Sequence, residues 1–158
     1  MKQDKAFFMR QAIELAENGV SNGEGGPFGA VVVKNGKIIG QGNNKVTSLN
    51  DPTAHAEIVA IRDACQNLKS FQLDDCEIYT TCEPCPMCLG AIYWARPKAI
   101  HYALTRKDAA DIGFDDDFIY QELDKPLNLR KIPMIQVLKS EAQDVFDFWE
   151  KKVDKIDY

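Results

Sequence analysis

The stretch TCEPCPMC, residues 81–88, places Cys82, Cys85 and Cys88 at intervals of three residues. Thiolate sulfur and imidazole nitrogen are ligands that zinc favours in proteins, and closely spaced cysteines are typical of zinc sites. The chain has five cysteines, an odd number, and three of them lie within these eight residues. This pattern is unlike the disulfide framework of a small secreted protein and predicts a reduced protein with a thiolate metal site.

Length and charge narrow the classes of protein that could carry such a site. The chain has 158 residues, enough for one domain with its own core, so we predict a single domain over residues 1–158. The net charge of −5 argues against a nucleic-acid partner, because a surface that follows a phosphate backbone is basic. The N-terminal residues lack the apolar core of a signal peptide, and no run is long enough to span a bilayer. We therefore expect a cytoplasmic protein with a small uncharged partner, no nucleic acid and no membrane.

Alternating helix and strand patterns predict an α/β fold. The Asn35-Gly36 pair between two apolar runs is the favoured two-residue turn of a β-hairpin. Asp51 and Pro52 have the residue types of an N-cap and a first helical position. Strands and helices that alternate at this density indicate helices on both faces of a mixed sheet. The predicted elements are helices over 4–18, 52–68, 87–95, 115–122 and 141–152, a hairpin within 27–42, and strands over 76–81, 98–104 and 134–138, with a hinge over 125–133.

Only two histidines, His55 and His101, are available to join the cysteines. His55 lies near the start of a predicted helix and the cysteines precede another, so two helix N-termini, which favour an anionic thiolate, can converge. His101 lies in the middle of a predicted strand, where packing is the ordinary role. We predict that His55 is the ligand; the alternative is a helix residue without a partner.

Two arrangements of the cysteines remain in competition. A closed site of Cys82, Cys85, Cys88 and His55 would be structural, whereas an open site of His55 and two cysteines keeps a position for water. Cys85 and Cys88 share one face of a helix start, while Cys82 belongs to the preceding strand end. Glu57 is two residues from His55, so the two lie on different sides of a regular helix. We therefore predict an open site in which Glu57 approaches the water and Cys82 packs in the core.

The two parts of this pattern, His55-Ala56-Glu57 and Pro84-Cys85-Pro86-Met87-Cys88, match the H-x-E…P-C-x-x-C signature of zinc-dependent nucleobase deaminases. Over nearly the whole chain, the segments GGPFGAVVVKNGKII, NDPTAHAE, LDDCEIYTTCEPCPMCLGAIYWARPKAI and GFDDDFIY resemble the bacterial guanine deaminases of the cytidine deaminase-like superfamily. The metal-binding and proton-transfer positions show no departure from that pattern.

The resemblance implies a three-layer α-β-α sandwich with a five-stranded mixed sheet. It also implies one zinc ion per chain and hydrolytic deamination of guanine to xanthine and ammonia, a step of purine salvage or catabolism. Glu57 would accept a proton from water, deliver it to a ring nitrogen and then protonate the departing amine. The alternative role for Glu57 is a solvated helix side chain.

The resemblance also implies residues that bind the purine base. Phe28 would stack on the ring, Asn44 would hydrogen-bond to it, and the Ala56 backbone N–H would face a ring acceptor. Asp116 would accept a hydrogen bond from the donor groups of guanine. Their structural alternatives are a core phenylalanine, an asparagine beside a hairpin, and a helix N-cap or a solvated acidic turn for the aspartates.

The sequence leaves more than one role open for two further aromatic residues, Tyr158 and Trp94. In the related guanine deaminases the C-terminal segment closes the active site and can come from the partner subunit, which implies a homodimer with residues 134–158 exchanged. We predict that Tyr158 contributes to this lid; the alternative is a frayed terminus. Trp94 could face the pocket, a dimer contact or the core.

Other functions fit parts of the same pattern. A related deaminase acting on guanosine, cytosine, a triazine or tRNA adenosine would share the zinc site. A non-catalytic module that uses zinc only for stability would keep the ligands, but it would not need Glu57. A nucleic-acid binder fits the negative net charge poorly.

Overall fold

The computed structural model describes residues 4–158, and its centre is a four-stranded mixed sheet in the order β2-β1-β3-β4. Strands β1 (Gly29–Lys34) and β2 (Lys37–Asn43) form the predicted hairpin. Asn35 and Gly36 both have positive φ, of 52° and 74°, as the turn of a tight hairpin requires. Strand β3 (Cys76–Cys82) pairs antiparallel with β1 and parallel with β4 (Ala99–Leu104).

Helices cover both faces of this sheet, as predicted. Helix α1 (Lys5–Ser21) packs on the face that carries Val31, Val33 and Tyr79, where Phe8 is buried. On the other face, Val32 and Ile78 are buried against small side chains of the long central helix, among them Ala60. The long central helix is α3 (Ala56–Leu68), and the remaining helices are α2 (Val46–Leu49), α4 (Pro86–Ala95), α5 (Arg106–Asp111), α6 (Asp117–Leu123) and α7 (Lys139–Lys151), with a 3₁₀ turn at Leu127–Leu129.

The N-terminus of α3 differs from the prediction. Asp51 does not cap the helix, and Pro52 is not its first residue; His55 is the N-cap and the helix begins at Ala56. Asp51 Oδ1 accepts hydrogen bonds from the backbone N–H and the hydroxyl of Thr53, at 2.8 and 2.7 Å. The Asp51 side chain therefore stabilises a turn in the loop before α3 and does not cap the helix. As a result, His55 lies at the N-terminal end of the helix.

The end of α1 also differs, because the helix continues past Asn18-Gly19 to Ser21. A Cβ atom at Gly19 would lie 2.5 Å from Nδ2 of Asn43. Gly19 is therefore needed for close packing and does not stop the helix. The short helices α2 and α5 were not predicted, although Thr105 and Asp108 form a capping box at the start of α5.

The predicted fifth strand is wrong: residues 133–138 have no regular secondary structure and belong to no sheet in the described part of the chain. Ile135 and Val137 are 80% and 74% exposed, and their neighbours Met134 and Leu138 are also exposed. Their apolar side chains have strand propensity, but a strand also requires a neighbouring backbone with which to pair.

The chain divides into two compact units, Met1–Asp116 and Asp117–Tyr158; residues 1–3 of the predicted domain lie outside the described residues. The first unit contains the sheet and helices α1 to α5, and the second contains α6, the 3₁₀ turn and α7. Across residues 4–158, every helix is too short or too polar to cross a bilayer.

Candidate metal centre and active site

The N-termini of α3 and α4 bring one histidine and two cysteines together. His55 is the N-cap of α3, and Cys85 is the N-cap of α4 with Pro86 as the first helical residue. The backbone N–H of Cys88 donates to Cys85 Sγ at 3.5 Å. Helix N-termini carry partial positive charge, which favours a thiolate at this position.

The spacing of the three side chains fits a zinc ion. His55 Nδ1 lies 3.6 Å from Cys85 Sγ and 3.5 Å from Cys88 Sγ, and the three ligand atoms lie within 4.8 Å of one another. Tetrahedral zinc with ordinary Zn–N and Zn–S bonds requires an N···S separation of about 3.6 Å. One imidazole and two thiolates are also a ligand set that zinc accepts, so donor chemistry and distance agree.

The pKa values of the two thiols are shifted in opposite directions. A hydrogen bond with the Cys88 thiol, followed by one with the His55 ring, lowers the pKa of Cys85 to about 4 although the site is partly buried. The pKa of Cys88 is raised, first by that same bond to Cys85 and then by burial. Cys85 would therefore bind a zinc ion as a thiolate, and Cys88 would release its proton on binding the same ion.

Cys82 and His101 lie outside this cluster. Cys82 is 5% exposed, and its Sγ donates to the Thr105 carbonyl at 3.5 Å. Burial raises the pKa of its thiol to about 11, which favours the neutral form. His101 Nε2 lies 2.9 Å from a carboxylate oxygen of Glu77, and its ring stacks on Tyr79.

Glu57 is a buried carboxylate beside the cluster. It is in the first turn of α3 and is 6% exposed. Its Oε1 accepts a hydrogen bond from the Thr80 hydroxyl at 2.9 Å, and its Oε2 lies 3.4 Å from Cys88 Sγ. Burial, the largest cause, raises the pKa of Glu57 above its ordinary value. A carboxyl group can take up a proton from one partner and release it to another, which is the role of a general acid–base group.

Comparison with known proteins also indicates a zinc-binding deaminase. The model of the cytidine and deoxycytidylate deaminase zinc-binding region matches residues 1–104. The chain belongs to this zinc-binding deaminase family. Guanine deaminase of Bacillus subtilis is 58% identical over 151 residues, which cover 96% of this chain and 97% of the relative. A tRNA-specific adenosine deaminase of Aquifex aeolicus is 35% identical over 94% of this chain and 95% of its own.

The similarity extends to solved structures. An X-ray structure of guanine deaminase from Bacillus subtilis superimposes with a TM-score of 0.96, at 56% identity, and 99% of each chain is covered. The cytidine deaminase-like fold of this deaminase is thereby established, with four strands in place of the five predicted.

The side chain of Asn44 is held in one orientation. Its Oδ1 accepts hydrogen bonds from the backbone N–H groups of Gly26 and Val46, at 3.3 and 3.2 Å. Because a backbone N–H only donates, the oxygen position is unambiguous and Nδ2 remains as the donor. A Cβ atom at Gly25 would lie 2.3 Å from Oδ1, so this approach requires glycine. Asn44 is therefore a preorganised hydrogen-bond donor.

Phe28 and Asp116 lie in the same unit as the metal ligands. Phe28 is half-buried, and its ring meets Phe114 edge to face with centroids 5.0 Å apart. Burial, followed by the charge of Cys85, raises the pKa of the Asp116 carboxyl. Phe114 was not predicted, although it precedes the aspartate run that sequence analysis singled out.

Three other predicted residues have different surroundings. Ala56 is fully buried at the first position of α3, where a helix leaves the backbone N–H without a partner inside the helix. Trp94 is 63% exposed, so its alternative assignment to the core is wrong. Tyr158 belongs to the second unit and is 69% exposed. Sequence analysis also missed Thr80, whose contact with Glu57 links residues that are far apart in the chain.

Proposed function

We propose that this deaminase hydrolyses guanine to xanthine and ammonia. The observation that carries the proposal is the 58% identity to guanine deaminase of Bacillus subtilis over almost the full length of both chains. His55, Cys85 and Cys88 would hold one zinc ion, which is supported by ligand atoms that lie within 4.8 Å of one another. When bound, zinc acts as a Lewis acid that lowers the pKa of a water molecule toward neutrality.

Glu57 would transfer the protons of the reaction. It takes one proton from the attacking water and delivers it to a ring nitrogen, so that the carbon bearing the exocyclic amine becomes electrophilic. A second proton passes through the same carboxylate to the amine as the C–N bond breaks. Water supplies the oxygen of xanthine, and the amine leaves as ammonia. The position of Glu57 Oε2, 3.4 Å from Cys88 Sγ, supports this role.

The base would be held by groups that match its edges. The remaining Nδ2 donor of Asn44 suits a carbonyl oxygen or ring nitrogen, and the Ala56 backbone N–H suits a second acceptor. Asp116 would accept from an N–H group of guanine, and Phe28 would stack on the ring. An uncharged base rich in N–H groups can approach a carboxylate without the repulsion that a polyanion meets.

The test is ammonia release by zinc-loaded protein offered guanine, guanosine, cytosine, adenine and tRNA in parallel. Glu57→Gln is the blank: it should retain one zinc per chain and lose at least about 100-fold in kcat, because general acid–base catalysis contributes about 10²–10⁴-fold. Glu17→Gln, a change in an exposed glutamate of α1, is the matched control. Release from guanine alone supports the proposal, whereas equal turnover by Glu57→Gln would remove Glu57 from the mechanism.

A tRNA adenosine deaminase activity is the second candidate, because the Aquifex aeolicus relative with that name covers 94% of this chain. The net charge of −5 opposes it, since binding of tRNA depends on basic surfaces. Inosine formation in tRNA by the wild type, with no ammonia from guanine, would decide for this candidate. Ammonia from neither substrate, with zinc tightly bound, would favour a purely structural metal.

We also propose that the protein is a homodimer in which residues 134–158 of each subunit serve the site of the other. Two surfaces support exchange: Ile135 and Val137 are exposed in a segment without regular secondary structure, and Tyr102 and Leu104 are exposed on the edge strand β4. An edge strand with apolar side chains is a surface that a further strand can cover. Tyr158 would then be part of the lid, and Trp94 would lie at the contact.

Complementation distinguishes exchange from a lid within one chain. Neither Glu57→Gln nor a variant lacking residues 153–158 should be active alone. Co-expressed in equal amounts, they should recover about one quarter of wild-type activity, because half of the random dimers are mixed and each has one complete site. No recovery from dimers shown to be mixed, or full activity of the truncated variant, would contradict the exchanged lid.

We further propose that the protein is located in the cytoplasm, where its five free cysteines stay reduced, and that it acts in purine salvage or catabolism.

A further inference from the structure

Thr80 is the side chain that holds the buried carboxylate of Glu57. Its Oγ1 donates to Glu57 Oε1 at 2.9 Å, and Thr80 itself is 1% exposed. The backbone of Thr80 is in the interior of the sheet, paired with Ala30 on one side and Tyr102 on the other. The hydroxyl is therefore attached to one of the most restrained positions in the first unit.

Strand geometry explains why this threonine and not its neighbour meets Glu57. Side chains alternate between faces, so Thr80 shares a face with Ile78, which is buried in the cluster that includes α3. The adjacent Thr81 uses its Oγ1 differently, as the acceptor of the Gly29 backbone N–H at 3.1 Å. Only one hydroxyl of the pair contacts Glu57.

The hydrogen bond makes the two oxygens of Glu57 inequivalent. Oε1 accepts from Thr80, while Oε2 lies 3.4 Å from Cys88 Sγ at the metal-ligating cluster. We propose that Thr80 is a positioning residue for Glu57: it holds Oε1 so that Oε2 faces the cluster and carries the proton. This inference rests on the proposed function and adds to it the group that orients the acid–base catalyst.

The physical reason is geometric. A carboxylate that exchanges protons must lie within hydrogen-bond reach of both proton donor and proton acceptor, and small displacements reduce the rate strongly. The terminal torsion of a glutamate is broad, so packing alone fixes the plane of its carboxylate weakly. A hydroxyl on a central strand supplies the missing restraint. It leaves the bound base untouched, so its loss should affect kcat and spare KM.

Thr80→Val and Thr80→Ser form the matched pair for the test. Valine keeps the shape and removes the hydroxyl; kcat for guanine should fall about 10- to 100-fold, the range for a hydrogen bond to a charged group. KM, the affinity for xanthine by calorimetry and the content of one zinc per chain should change by less than about twofold, since the Thr80 hydroxyl donates its hydrogen bond to Glu57. Serine should restore kcat to within about threefold of the wild type. If valine does not fold, Thr80→Ala takes its place.

A double variant shows whether Thr80 acts through Glu57. In the Glu57→Gln background, Thr80→Val should reduce the residual rate by less than about twofold, because residues that act as one unit are not additive. The inference would be overturned if the rate losses of Glu57→Gln and Thr80→Val multiplied in the double variant. It would also be overturned if Thr80→Val left kcat unchanged, or if the rise in its KM accounted for the whole fall in kcat/KM.

A structural measurement keeps this test separate from the proposed function. Crystal structures of the zinc-loaded wild type and Thr80→Val should show the Thr80–Glu57 hydrogen bond in the first and a rotated Glu57 carboxylate in the second. The same carboxylate orientation in both would refute positioning by Thr80, whatever the substrate. Absence of ammonia release from every base by the wild type would refute the proposed function alone.

Discussion

Replacing Cys82 and Cys88 separately by alanine distinguishes a ligand from a core thiol within the same eight-residue motif. Cys88 Sγ is 3.5 Å from His55 Nδ1, whereas Cys82 donates to the Thr105 carbonyl outside the cluster. Cys82→Ala should retain one zinc per chain, and Cys88→Ala should lose it. Substitution of a residue that hydrogen-bonds to a metal ligand lowers the metal affinity about 10–100-fold. Removal of a ligand itself should therefore lower the zinc affinity more than about 100-fold.

The effect of Cys82→Ala on stability follows from burial. The substitution removes one sulfur atom from a side chain that is 5% exposed, comparable to one buried methylene, together with a weak hydrogen bond. We expect a cost of about 1–2 kcal/mol, equivalent to a fall in Tm of about 2–8 °C for a chain of this size. Cys76→Ala is the control, because Cys76 is also fully buried and has no place in the cluster.

The assay is zinc per chain by mass spectrometry after dialysis against increasing concentrations of a chelator, with Tm measured on the same samples. Wild type, Cys82→Ala and Cys76→Ala should lose zinc at similar chelator concentrations, and Cys88→Ala at a far lower one. Loss of zinc from Cys82→Ala with retention in Cys88→Ala would refute the ligand assignment and favour a different set of cysteines.

Three further substitutions test the fold and the base site. Gly42→Ala should destabilise the protein by about 1–3 kcal/mol in urea unfolding, because the added Cβ would lie 2.6 Å from the Ala56 carbonyl oxygen; an unchanged midpoint would contradict this packing. Asn44→Ala should raise KM for guanine about tenfold or more with zinc retained, since it removes the fixed donor; unchanged KM would exclude Asn44 from binding. The hydrogen bond from His101 is the first of the contacts that lower the pKa of Glu77, so its stabilisation is present above the unfolded-state pKa and is lost as pH falls through the folded-state value. The Tm advantage of wild type over Glu77→Gln should therefore decrease as the pH is lowered below the ordinary pKa of a glutamate, and a constant difference would argue against this linkage.

Features set by local chemistry could be predicted from the sequence. The hairpin is one, because Asn35 and Gly36 both tolerate the positive φ that the turn requires. The metal cluster is another, because few residue types bind zinc and the chain offers only two histidines. In each case the signal is carried by a few adjacent residues whose chemistry has few alternatives.

Features set by distant partners, or by a choice between competing local structures, could not be predicted. The start of α3 was misplaced because Asp51 uses its carboxylate for Thr53, a choice between two local structures of similar propensity. The end of α1 was misplaced because Gly19 meets Asn43 from another element. The strand predicted over residues 134–138 was wrong for a related reason: a β pattern shows that a segment can pair, and says nothing about whether a partner is present.

The orientation of Glu57 is the strongest case of this dependence. The H-x-E motif places a glutamate next to the metal ligands, but its carboxylate is held from a strand that lies 23 residues further along the chain. Residues 80 and 81 are both threonine, so residue type cannot show which one faces Glu57. The pairing of Ala30 with Thr80 decides it, since a slip of one residue in that register would exchange the two faces of β3. The register of the central sheet thus determines which hydroxyl reaches the carboxylate that the motif supplies.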